Sequence, residues 1–199
     1  MEQENVGLYL GMDISEKYTM ISIYQQHMKE PQTISTIIGS ESYQIPTALA
    51  KKKGVGQWFF GREAKVRVKS GEALGVEDLL DKARTGEEVF LEHEKYAASD
   101  LLAIFLKRVL SLAGSPQAMM PLTKLVICLD KVSVEYMELF SAIMVKLGIE
   151  TDKLLLIDRR ESFYYYALSQ GPETFLHDVV MFDYTESDMV SCRLRRNMH

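Results

Sequence analysis

Residues 125–169 alternate two short apolar runs with two helical patterns, and this alternation constrains the fold more than any other part of the 199-residue sequence. Leu125–Leu129 reads LVICL, a continuous apolar strand of the kind buried on both faces. Ser133 is placed to cap a helix running to Leu147, with Glu135 in its first turn and Gly148 beyond its end. Lys153–Ile157 reads KLLLI, a second buried strand, and a further helix runs from about Arg160 to Ser169 before Gly171. Strands joined through a helix lie parallel in one sheet, so the segment predicts a βαβα unit.

Upstream, Val6–Ile14, Tyr18–Tyr24 and Thr33–Ile38 are β-rich runs punctuated by turn residues, Pro31 and Gly39, and predict an antiparallel meander. Ile45–Ala50 and Trp58–Phe60 flank Lys51–Gly56, which predicts a hairpin whose turn carries three lysines. Without aromatic interleaving or a further basic stripe, these lysines read as charges that keep a hairpin tip in water, not as an anion patch. Arg62–Lys69 predicts a short helix, whereas Gly71–Glu94 is polar, acidic and weakly periodic. From Lys95 to Ala113 the apolar residues Leu101, Leu102, Phe105, Leu106, Val109 and Leu110 recur at helical spacing, and Gly114 with Pro116 ends the pattern. His177–Asp183 and Asp188–Leu194 predict two final strands joined by residues 184–187. The order as a whole predicts an α/β protein: a ribonuclease-H-like mixed sheet with helices on both faces, plus a small hairpin subdomain.

Acidic residues number 28 against 23 basic ones, a formal charge of −5 that excludes a generally basic nucleic-acid binder. With 47% hydrophobic and 26% charged residues, the composition is that of a globular chain. Cys128 and Cys192 sit in apolar alternating runs without C-x-x-C spacing and read as buried thiols, which suits a reducing, cytoplasmic compartment. The start is acidic where a secretory signal would be basic, and no apolar run approaches the roughly 18 residues that span a bilayer, so neither membrane nor nucleic acid is an expected partner. The four histidines have no metal-ligand spacing, and no Gly-x-Ser-x-Gly or Walker loop is present.

Four segments, in order, resemble the actin, sugar-kinase and heat-shock-chaperone ATPase superfamily, most closely lobe I of the nucleotide-binding domain of the seventy-kilodalton heat-shock chaperones. GLYLGMDISEKYTMISIY is similar to the first phosphate hairpin, and YQIPTALAKKKGVGQWFFGREAK to the run of Pro, strand, turn and Gly-x-x-Ala-Lys. Residues 125–168 are similar to the family's strand, helix, strand and connecting helix, and HDVVMFDYTESDMVSCRL to its second phosphate hairpin. The resemblance divides the chain into lobe I over 1–175, with 39–94 as an inserted small subdomain, and over 176–199 the first hairpin of a second lobe.

The resemblance implies site residues. Asp13 takes the place of the carboxylate that holds hydrated magnesium, Ser15 and Lys17 fall in the first phosphate turn, and Thr185 in the second. Lys82 is the candidate for the lysine that positions the attacking water, and Asp183 is the counterpart aspartate of the second hairpin. The sequence departs from the family where glycines should let backbone N–H groups approach phosphate. The first turn is Ser15-Glu16-Lys17 and the second is Tyr184-Thr185-Glu186-Ser187. Glu16 beside a phosphate would cost on the order of 4 kcal/mol at about 4 Å and an effective dielectric near 20. At the start of the connecting helix, Arg159 and Arg160 replace an acid and a proline, and bulky Phe163, Tyr164, Tyr165 and Tyr166, read as core and interface packing, replace small residues.

These departures predict a degenerate ATPase-like lobe acting in binding or assembly, with no cofactor expected for this chain alone and ATP with magnesium only in a complete two-lobed form. The expected partner is a second lobe or another protein, with self-association through the C-terminal hairpin as one route. The alternatives are an active ATPase or phosphotransferase completed by a second lobe, and a metal-dependent nuclease using Asp13, Asp130 and Asp158 at three strand ends.

Overall fold

The computed structural model describes residues 7–114, 122–175, 178–184 and 189–194. Strands β1 (Leu8–Ile14), β2 (Tyr18–Gln25) and β3 (Gln32–Thr33) form the meander, and β4 (Ile45–Pro46) also pairs with β2. The chain continues through β5 (Leu49–Lys52), β6 (Trp58–Phe60), helix α1 (Gly61–Lys69), β7 (Ala73–Val76), α2 (Leu79–Thr85), β8 (Glu88–Leu91) and β9 (Glu94–Ala97). Helix α3 (Ala98–Leu110) precedes the unit β10 (Leu122–Leu129), α4 (Val134–Leu147), β11 (Leu154–Asp158) and α5 (Arg159–Ser169). Strands β12 (Val179–Tyr184) and β13 (Met189–Leu194) pair as a two-stranded ribbon.

The main sheet runs β11-β10-β1-β2-β3, with β1, β10 and β11 parallel and β2 antiparallel to β1. Strand periodicity splits β1 cleanly. Leu8, Leu10, Met12 and Ile14 face the core, while Tyr9, Gly11 and Asp13 face the other side and stay half-buried. Leu101, Leu102, Phe105 and Leu106 of α3 and Phe140, Ile143 and Met144 of α4 close the core face. Each such side chain contributes about 1.5–3 kcal/mol by leaving water. Helix α5 covers part of the opposite face, where it packs on β10 and β11. The protein is therefore an α/β fold with a mixed sheet and helices.

The predicted caps of α4 are present: the Ser133 hydroxyl accepts the Tyr136 N–H at 3.4 Å, and Gly148 is left-handed at φ 72°. Helix α3 begins at Ala98, because Lys95–Ala97 continue β9 opposite β8. The strand expected over Thr33–Ile38 stops at Thr33, and residues 35–42 close around the Ser35 hydroxyl, which accepts the N–H groups of Ile37 and Ser42. The acidic stretch 71–94 is fully ordered into β7, α2, β8 and most of the β8–β9 hairpin, with Leu79, Leu80, Val89 and Leu91 in the main core.

Burial also departs from expectation. In β10 only Leu125, Ile127 and Leu129 are buried, since α5 leaves Val126 and Cys128 half-covered. Strand β11 is the edge of the sheet, so only Ile157 of its run is buried and Leu155 is 47% exposed. Tyr164, Tyr165 and Tyr166 are exposed on α5, not packed in the core. Lys51 and Lys52 are not in a turn but in β5, the central strand of a small sheet ordered β6-β5-β7. Lys51 is only 5% exposed, and its ammonium is taken up by Glu94, Glu92 and the Tyr96 ring from the neighbouring β8–β9 hairpin.

Candidate functional site

Asp13, Asp130 and Asp158 stand at or just past the carboxyl ends of β1, β10 and β11, where an open α/β sheet gathers its polar groups. Register aligns them: Asp13 lies opposite Cys128, and Leu129 opposite Asp158. Helix α5 starts directly at this edge. The Asp158 carboxylate accepts the Glu161 N–H at 2.8 Å and so caps the helix, which turns Arg159 back across the strand ends.

The Arg159 guanidinium bridges two of the three carboxylates. Its Nη2 donates to Asp13 Oδ1 at 3.2 Å and its Nε to Asp130 Oδ1 at 2.9 Å. The side chain of Arg159 is 17% exposed and that of Asp130 is 74%, so the pair with Asp13 is the more sheltered of the two. A planar fork of donors suits this double contact, and a lysine would supply only a point charge. Beneath it, burial pushes the Cys128 thiol up to about 12, with the neighbouring Asp13 carboxylate adding to the rise, so Cys128 is held as a neutral thiol.

The β1–β2 turn is closed by its own side chains. The Ser15 hydroxyl donates to the Tyr18 carbonyl at 3.0 Å and accepts the Tyr18 N–H at 3.2 Å. Glu16 reaches away to α2, where its carboxylate accepts the Leu80 N–H at 3.3 Å. Desolvation there raises the Glu16 pKa above its ordinary value; the Asp81 and Leu80 N–H groups oppose this, and the charges of Asp78 and Asp81 add to it. Lys17 is exposed, and its carbonyl accepts the Thr47 N–H at 3.0 Å.

Of the residues singled out from sequence, Asp13, Ser15 and Lys17 share one strand end and its turn. Lys82 sits on α2, and its ammonium is joined to neither Asp13 nor Arg159 by a hydrogen bond or ion pair. Asp183 occupies β12 opposite Val190, but its side chain, like the whole of Thr185, lies outside the described residues. Arg159 is the central residue here. The sequence places a cation at the start of α5 but gave no sign that it spans Asp13 and Asp130. Among the described residues, no three His, Cys, Asp or Glu side chains gather as a metal site, and no helix is long and apolar enough to cross a membrane.

The Arg159 guanidinium already holds the Asp13 and Asp130 carboxylates that would face a hydrated magnesium ion, so such an ion would compete with it for them. At about 4 Å and an effective dielectric of 20 the guanidinium would oppose a divalent ion by roughly 8 kcal/mol, offsetting the similar attraction of one carboxylate. The hydroxyl of Ser15 is engaged within the turn, and the turn has no glycine to bare its N–H groups.

The chain belongs to a family of unknown function, DUF5716, whose C-terminal model matches residues 30–199. No curated protein matches it.

Proposed function

We propose that the chain is a ribonuclease-H-like lobe of the actin, sugar-kinase and heat-shock-chaperone superfamily that serves in binding or assembly and not in nucleotide turnover. One observation carries this reading: the Arg159 guanidinium lies between Asp13 and Asp130, where the superfamily would hold hydrated magnesium. The sheet order β11-β10-β1-β2-β3, with three antiparallel strands followed by two parallel additions, supports the ribonuclease-H-like plan. Each of the three carboxylates of the nuclease alternative has a partner of its own, Arg159 for two and the α5 backbone for Asp158.

Binding is the role left to such a lobe, in the cytoplasm and with a second lobe or another protein as its partner. The β12–β13 ribbon supports a partner-facing role, since Val180, Phe182 and Tyr184 lie exposed on one face of β12, with Phe182 and Tyr184 stacked at 6.4 Å. The deciding experiment is a calorimetric titration of the chain with magnesium-ATP, beside the same titration of Arg159→Ala. No heat of binding in the micromolar range is expected from the natural chain. Micromolar binding by it would overturn this reading, and ATP hydrolysis abolished by Asp13→Ala would favour the active-ATPase alternative.

A further inference from the structure

Charge in this acidic protein is sorted by location. Between Lys51 and Ser70 seven lysines and arginines accompany a single acid, Glu63, in a chain of net charge −5. The fold collects them on one small layer, because α1 packs on β5, β6 and β7, and the Lys53 N–H donates to the Glu72 carbonyl just past the end of α1. Helix α1 thus supplies the further basic stripe that the lysine triplet lacks in sequence. Lys51 is consumed inside, and Arg67 is paired with Glu63 and Glu72. Lys53, Lys65 and Lys69 remain exposed, with Val66 and Val68 exposed among them.

A second surface has the opposite character. Arg84 holds Asp81 and lies over the Tyr136 ring at 5.8 Å, which locks α2 to the start of α4. Around that joint Glu77, Asp78, Glu135 and Glu138 are exposed, and Val134 and Met137 are exposed beside them on α4. Both surfaces therefore carry exposed charge together with exposed apolar side chains, and their signs are complementary.

We propose that the α1 face of one copy of this chain docks on the α2–α4 face of a second copy. Charge complementarity selects this occupant. The acidic face matches the basic one in sign and in its exposed apolar pair, and every copy presents both. Nucleic acid or an anionic lipid surface would meet the basic face but would be repelled by the acidic remainder of the chain.

The test is sedimentation velocity over about 1–100 μM protein, at about 50 mM and 500 mM salt, where screening of exposed charges differs strongly. The natural chain is expected to gain mass with concentration at low salt and to dissociate at high salt. Lys65→Glu with Lys69→Glu shifts the α1 face by four charge units toward negative, and Glu77→Lys with Glu138→Lys shifts the α2–α4 face by four toward positive, so each variant loses the complementarity between its own two faces. Each double variant is expected to stay monomeric alone, and an equimolar mixture to associate, since one native basic face then meets one native acidic face. Unchanged circular dichroism and melting show that each variant is folded. A natural chain monomeric throughout, or a mixture that stays monomeric, overturns the proposal. So does a monomeric natural chain that binds a single-stranded oligonucleotide or phosphatidylserine vesicles through Lys65 and Lys69.

Discussion

The carboxylate of Glu16 accepts the backbone N–H of Leu80, so the turn between β1 and β2 is tied to the first turn of α2 across 64 positions of sequence. An anionic side chain of the protein thus meets a helix start from the hairpin turn where the resemblance leads one to expect phosphate.

Because desolvation raises the Glu16 pKa, its ionisation opposes folding, and stability falls as pH rises from the ordinary carboxylate value through the folded one. Glu16→Gln is expected to melt higher than the natural chain at pH 7, with the gap closing as the pH is lowered toward 4. Thermal melts at several pH values read this directly. A variant that melts lower at pH 7 would mean that the N–H groups stabilise the carboxylate more than burial destabilises it.

Removing Arg159 leaves Asp13 and Asp130 without their shared cation. Arg159→Ala is expected to lose about 1–3 kcal/mol in urea unfolding. Arg159→Lys is expected to recover only part of this, since one ammonium cannot reproduce the two forked contacts. Adding Asp13→Ala to Arg159→Ala should cost less than the sum of the single changes, the signature of a direct pair.

Gly61 opens α1 at φ +57°, and a Cβ there would lie 3.2 Å from Ile45 Cγ2. Gly61→Ala is therefore expected to destabilise by about 1–2 kcal/mol from backbone conformation, with the contact adding to it. Gly54, also left-handed but with open space around it, is the control: Gly54→Ala carries the conformational cost without the contact. Denaturant midpoints of the two variants separate these contributions.

Lys51 is buried, but the acids it pairs with reach out toward water. Lys51→Ala is expected to lower the melting temperature by leaving a void in β5. Lys51→Met is expected to restore most of it, because Met fills the same channel and frees Glu94 to hydrate. Equal losses in both would show that the ion pair itself, and not packing, holds the β8–β9 hairpin against β5.

Periodicity and caps made α4 legible because Ser133 and Gly148 act locally, within a few residues of the helix they end. The strand-end aspartates were visible for the same reason. Arg159 was not: its bond to Asp13 closes over 146 positions, and no local pattern encodes such a contact. Burial of β11 was misjudged because LLLI reads alike at the centre and at the edge of a sheet, and only the strand order distinguishes them. The stretch 71–94 hid β7, α2 and β8 because charged residues crowd its short apolar runs and α2 spans under two helical turns, too short to reveal a period.

A guanidinium attached to the main chain cannot be chelated, diluted or exchanged for another ion. Between Asp13 and Asp130 it makes the charge balance of the sheet edge an inherited property of the polypeptide. That corner should hold its shape equally well in EDTA and in millimolar magnesium.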